Sequence, residues 1–172
     1  NLAVLGENWL GEGQGIDNLA FIALGTGIGS GLMVNGELVR GARNAAGELG
    51  FLPFGADPFD SESIRAGAYE RVVASVGMVQ RYKALTGRDV KVPEIFDAAN
   101  GGEVAASQVL DETARYLAFG VGAIAAIANP EKIILGGSIG DRPELIARTQ
   151  KFLIQIMPQP VEIVPSNLHQ RA

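Results

Sequence analysis

The sequence predicts an α/β protein with one mixed sheet, a hairpin at its front and helices flanking it. Three observations carry this expectation. Asn35-Gly36 separates Leu32-Met33-Val34 from Glu37-Leu38-Val39, and both central residues tolerate the positive φ of a type I′ turn, the strongest short-range hairpin signal. Two short apolar runs, Leu19 to Leu24 and Ile133 to Leu135, lead straight into glycines, as buried strands ending in tight turns do. Helical patterns separate these strands, and such alternation marks an α/β fold.

Asn1 to Leu10 reads as the tail of a helix, ended by the loop Gly11-Glu12-Gly13-Gln14-Gly15. After the first strand comes the run Gly25-Thr26-Gly27-Ile28-Gly29-Ser30-Gly31, read as a glycine turn, and then the hairpin. Residues 41–60 are loop-rich, with Pro53 and Pro58. One helix is expected from Ser61 to Gly87, a good C′ stop, and a short one starts at Val92-Pro93 and ends near Gly101-Gly102. A long helix covers Glu103 to Asn129, apolar all round in its second half and therefore buried there, and Pro130 ends it. Asp141 is a candidate cap for a helix from Pro143 to about Ile156, and Val161 to Val164 reads as the last strand.

Composition narrows the function. Fourteen Lys+Arg against 19 Asp+Glu leave a net charge of −5, the wrong sign for a domain that grips phosphate backbones. With no cysteine there are no disulfides, thiolate nucleophiles or thiolate metal sites, and a single histidine, His169, excludes a multi-His zinc site and has no partner at triad spacing. The opening residues lack a basic n-region. The apolar stretch Tyr116 to Ala128 is broken by Gly120 and Gly122 and is shorter than the roughly 20 residues of a span. A cytoplasmic protein without membrane contact is expected. Because the chain opens without Met on a helix and stops at Arg171-Ala172, it reads as a piece of a longer protein.

Glycine supplies 23 of 172 residues, nearly twice the usual share of about 7%. Backbone amides that converge on an anion need glycines, because a Cβ would hold the ligand off. Gly25-Thr26-Gly27 has that composition, with the Thr26 hydroxyl as an extra donor. The spacing is not that of a dinucleotide-binding fingerprint, the run feeds a strand, and no Gly-Lys-Ser/Thr of a Walker loop is present. A glycine-rich turn between strands is most often only a tight turn. A second one, Leu135-Gly136-Gly137-Ser138, stands where a strand meets a crevice, the usual ligand position in an open α/β sheet.

Several stretches together resemble the ROK family of sugar kinases and sugar-responsive repressors. Leu24 to Gly31, followed by Val34-Asn35-Gly36-Glu37-Leu38, resembles the family's second phosphate motif and hairpin. Gly41-Ala42 and Ala46-Gly47-Glu48-Leu49-Gly50 resemble its sugar-site signature, and Asn129 to Gly137 its adenosine-side motif. Asn1 to Glu7 looks like the helix after the family's Asn-Asp-x-Asn motif, with Asn1 its last member. The resemblance implies the actin-like ATPase (ribonuclease H-like) fold. It implies that residues 1–172 form the C-terminal lobe of a ROK-type domain with part of the sugar-site region, the N-terminal lobe and any helix-turn-helix lying outside the chain.

The site residues it implies are Glu48 and Glu70 for the sugar, and Gly25, Thr26, Gly27, Gly136 and Gly137 for the nucleotide phosphates. The catalytic Asp would precede Asn1. On spacing alone Glu48 is a loop acid and Glu70 a surface helix residue. Arg40 and Arg43 are read as solvated, and Trp9, Tyr69 and Phe51 as apolar packing. Phe51 stands where the family has a zinc-binding His, Leu52-Pro53-Phe54-Gly55 where it has its first cysteines, and Gly67-Ala68-Tyr69-Glu70 lacks the family's cysteine. No zinc is therefore expected, with Phe51, Pro53 and Phe54 holding the loop instead. The altered sugar site favours an effector-binding domain of a transcriptional regulator; the alternative is an ATP-dependent hexose kinase using ATP and Mg²⁺. Expected partners are a small-molecule sugar, a second copy of the chain in a homo-oligomer, and DNA only through an absent N-terminal domain.

Overall fold

Strand β1 (Leu19–Leu24) lies at the middle of the sheet because it is apolar on both faces. Ala20, Ile22 and Leu24 enter one core cluster, while Leu19 and Phe21 enter another. In this computed structural model, which describes residues 2–168, β2 (Ile28–Val34), β3 (Glu37–Leu38), β4 (Lys132–Gly136) and β5 (Glu162–Pro165) complete a sheet of order β3-β2-β1-β4-β5. The pairs β1/β2 and β2/β3 are antiparallel and β1/β4 and β4/β5 parallel, so the sheet is mixed with a front hairpin. Asn35 and Gly36 sit at φ 53° and 76°, the paired left-handed residues of a type I′ turn.

Helix α1 (Leu2–Leu10) covers one face through Val4. The other face carries the larger core, closed by α4 (Ser75–Thr86), α5 (Val92–Asn100), α6 (Val104–Ala128) and α8 (Pro143–Ile156). Asn129, at φ 44°, ends α6 in a left-handed cap just before Pro130. No helix among the described residues is long and apolar enough to cross a membrane.

Several expectations need correction. The run 61–87 is three helices, α2 (Ser61–Ala66), α3 (Glu70–Val73) and α4, because Gly67 turns the chain at φ 89° and Ala74 is extended. The glycine run is a turn only at residues 25–27; Ile28 to Gly31 already belong to β2, where cross-strand pairing with β1 outweighs the glycines' weak strand preference. Arg142 rather than Asp141 holds the N-cap position of α8, and the Arg142 side chain makes no capping hydrogen bond. The last strand starts at Glu162, one residue later than read. Trp9 is 68% exposed and Phe51 57% exposed, so neither is core packing. Asn1, His169 and Arg171-Ala172 lie outside the described residues.

Candidate functional site: two glycine turns and two acids

The strands β1 and β4 run in parallel with Ala23 opposite Gly136, so the turns that follow them leave the same edge of the sheet. In the first turn the Gly25 amide donates to the Gly27 carbonyl at 2.9 Å, and the Ser75 amide at the start of α4 donates to the Gly25 carbonyl at 3.0 Å. In the second, β4 passes directly into α7 (Gly137–Gly140), with Gly137 at φ 83°. The two turns touch: a Cβ on Gly137 would lie 2.5 Å from the Leu24 carbonyl oxygen, and one on Gly25 would lie 3.2 Å from Ser138 Oγ. Gly137 is therefore required both by its backbone angle and by the space it leaves. The amides of Thr26 and Gly27 donate to no protein group among the described residues, and such unsatisfied donors beside a glycine turn are what an anion uses.

The two acids approach this edge differently. Glu70 opens α3 and is half-buried. Its Oε2 accepts from the Ile28 amide at 2.9 Å, immediately after the first turn, and a Cβ on Gly27 would lie 2.6 Å from that oxygen. The Tyr69 amide donates to the Gly50 carbonyl at 3.1 Å, tying α3 to the Glu48 loop. Burial pushes the Tyr69 phenol pKa up strongly; its hydroxyl donates to the Tyr116 carbonyl at 3.0 Å, so Tyr69 is core packing as expected. Glu48, by contrast, is exposed, at the entry of the 3-10 turn Leu49–Phe51. Its loop rests on β2 through the Ser30 hydroxyl, which donates to the Gly47 carbonyl at 2.6 Å.

Glu70 and Glu48 line different depressions. Glu70 shares one of about 240 Å³ with Thr26, Glu62, Arg65, Arg71 and Gln80. Glu48 shares another, of about 190 Å³, with Ala3, Phe21, Ala23, Gly29 and Ser30, on the α1 side of the sheet. Sequence reasoning missed the cations of the first depression. Arg71 Nη1 donates to Asp60 Oδ1 at 3.0 Å and Ser63 Oγ at 2.6 Å, and Arg65 pairs with Glu62 at 2.6 Å. The Glu62 amide, with help from Arg71, holds the Asp60 carboxyl below its ordinary value. The one signal for Arg71 was its place directly after Glu70. Arg40 and Arg43 are exposed.

The loop after Glu48 is held by Phe54, not by Phe51 or Pro53, which are exposed. The Phe54 ring stands edge-on to Tyr69 at 5.3 Å and to Phe119 at 6.2 Å. No cluster of three or more metal-ligating side chains occurs among the described residues.

The β3-β2-β1-β4-β5 mixed sheet flanked by helices, with glycine turns after β1 and β4, matches the fold of one lobe of ROK sugar kinase structures. The chain belongs to the ROK family, whose family model matches residues 1–172. A glucokinase of Halalkalibacterium halodurans is 31% identical over 173 residues, covering 88% of this chain and 50% of its own length. A β-glucoside kinase of Listeria monocytogenes is 36% identical over 158 residues, covering 89% and 52%. A xylose repressor of Caldicellulosiruptor bescii is 28% identical over 195 residues, covering 100% and 48%. Two solved structures share the fold: a ROK hexokinase from Thermus thermophilus (TM-score 0.87, 24% identity, 99% of this chain and 58% of its own) and a Streptomyces griseus ROK glucokinase in complex with glucose and AMPPNP (TM-score 0.82, 23% identity, 98% and 62%). The chain spans about half the length of the curated relatives it matches.

Proposed function

We propose that the chain is the nucleotide-holding half of a ROK sugar kinase, corresponding to the C-terminal portion of its longer relatives. The contact between the two glycine turns at one sheet edge carries this reading. The residues present fit a nucleotide phosphate: Gly25, Gly27 and Gly137 let the two turns and Glu70 pack closely together, and the Thr26 and Gly27 amides, the Thr26 hydroxyl and the Gly136-Gly137 turn would face the phosphate. Bound ATP with Mg²⁺ would supply the phosphoryl group with its charge partly neutralised. The chain's own residues position and orient. Glu48, exposed beside α1, is free to accept hydroxyl protons of a sugar in hydrogen bonds. Glu70 braces the first turn through the Ile28 amide, and its carboxylate would be the second acceptor for the sugar. The general base would be an Asp preceding Asn1, close to the α1 end that reaches the Glu48 depression through Ala3.

The relatives favour this reading over the regulator that the altered sugar site first suggested, since the glucokinase and the β-glucoside kinase are both more similar to the chain than the xylose repressor is. A coupled ADP-release assay on the full-length protein with glucose, xylose and a β-glucoside decides between them. Sugar-dependent ADP release supports the kinase; sugar binding without ADP release, coupled to release of DNA, supports the regulator. In either case the expected localisation is cytoplasmic, the expected assembly a homo-oligomer, and the expected zinc content nil.

A further inference from the structure

We propose that Glu7 is a positioning residue that ties the sugar side of the site to its nucleotide side, an inference that rests on the kinase reading above. Glu7 lies in the middle of α1 with no exposed surface, and among the described residues it is the charged side chain of the buried class. No cation pairs with it among those residues. Ser166 Oγ, itself buried, donates to Glu7 Oε1, and the Glu12 amide donates to Oε2 at 3.1 Å. Gly11 packs so closely that a Cβ there would lie 2.0 Å from Oε2.

A buried carboxylate without a cation is costly to desolvate, and an apolar side chain of similar size would fill this space at lower cost. What an apolar residue would lack is direction. The hydrogen bond from Ser166 fixes where α1 sits along its axis, as sliding the helix would break it, while the Glu12 bond ties the turn that follows α1 to the same carboxylate.

The fixed helix reaches the sugar side at one end. Ala3 lies four residues before Glu7, about one turn or 6 Å along the axis, and lines the depression that contains Glu48. The partner reaches the nucleotide side. Ser166 follows β5, its amide donates to the Leu135 carbonyl at 2.8 Å, and a Cβ on Gly136 would lie 3.3 Å from Ser166 Cβ and 2.6 Å from the Phe21 ring. Phe21 in turn lines the Glu48 depression. Lys132 Nζ donates to the Glu12 carbonyl at 3.2 Å, and Asn167 Nδ2 to Glu12 Oε1 at 2.8 Å, so the loop that presents the Glu12 amide is itself pinned. Moving α1 would therefore move Ala3 against Glu48 and Ser166 against Gly136 together.

The test compares Glu7→Ala, Glu7→Gln and Ser166→Ala in the full-length protein. Hydrogen exchange is read at residues 2–10 and 136–140, and affinity for D-glucose by calorimetry. Glu7→Ala is expected to speed exchange at 136–140, far away in sequence, as well as at 2–10, and to weaken glucose by roughly tenfold. Glu7→Gln, whose side-chain oxygen can accept from the Glu12 amide and whose side-chain NH2 can donate to Ser166 Oγ, is expected to restore both; where there is turnover, Glu7→Ala should raise the KM values more than it lowers kcat. Should Glu7→Ala fail to fold, Ser166→Ala carries the test, with faster exchange expected at residues 2–10 as well as at 136–140. Exchange changes confined to residues 2–13 or to the vicinity of Ser166, or a Gln variant no better than Ala, would overturn the proposal. Absence of sugar-dependent ADP release by the unmodified protein, with the exchange coupling intact, would sink the kinase reading alone.

Discussion

Glu48 and Glu70 are both loop-to-helix acids beside the same sheet edge, yet they sit in opposite mechanical settings. Glu70 is gripped: the Ile28 amide holds one oxygen, Gly27 presses against it, and the Tyr69 amide before it is bound to the Gly50 carbonyl. Glu48 stands in the open at the end of a loop that touches the sheet through Ser30, with its carboxylate facing a shallow depression. Removing Glu70 therefore changes the protein before any ligand arrives, whereas removing Glu48 changes only what the ligand meets. In the proposed site the two would have different tasks, Glu70 keeping the glycine turn in shape and Glu48 meeting the substrate.

The largest expected effect follows from what neither acid is placed to do. If Glu70 is held as a brace and Glu48 takes the sugar, as proposed, neither is free to act as general base, and residues 1–172 alone should show no hexose-dependent ADP release. Turnover by this chain comparable to that of an intact kinase would mean that one of the two acids is the base. Next comes Gly67→Ala, which combines φ 89° with a Cβ 2.2 Å from the Gly50 carbonyl oxygen. It should lower unfolding free energy by about 3 kcal/mol or more in denaturant titration, because backbone on both sides must shift.

Glu48→Ala should weaken sugar binding by about tenfold or more, on the scale of about 1.5–3 kcal/mol for a lost charge-assisted hydrogen bond. Its melting temperature should stay put; a fall would show that Glu48 is structural after all. Glu70→Ala should instead cost about 1–2 kcal/mol of stability by leaving the Ile28 amide without its acceptor. Gly27→Ala should cost about 1 kcal/mol by displacing the same carboxylate, and almost nothing once Glu70 is already Ala, a non-additivity that a double-mutant cycle measures directly. The smallest expected effect is that of a chelator. If Phe54 with Tyr69 and Phe119 holds the Glu48 loop, EDTA should leave melting and sugar affinity unchanged, and elemental analysis should find no zinc.

The strands and the turns were legible because their signals are local. Leu19 to Leu24 is apolar without interruption, Asn35-Gly36 demands positive φ, and both glycine clusters follow apolar runs. Helix ends at Gly87 and near Gly101 were readable for the same reason, since a left-handed or helix-breaking residue acts on its own neighbours. The Glu48 and Glu70 assignments came from the motif resemblance. Their spacing carries no sign that one is gripped and one is open.

What the sequence by itself determined is therefore the α/β class, the strand order along the chain, and the chemistry available at each turn. Tertiary structure alone decided how these pieces meet. The break of 61–87 into three helices depends on Gly67 lying against Gly50, and the exposure of Phe51 and Trp9 on which surfaces the fold left uncovered. The union of the two glycine turns rests on β1 pairing with β4, more than a hundred residues later. The burial of Glu7 against Ser166 spans 159 positions. Periodicity and turn preference act over a few residues, but a hydrogen bond or a steric limit across such distances exists only once the chain has packed.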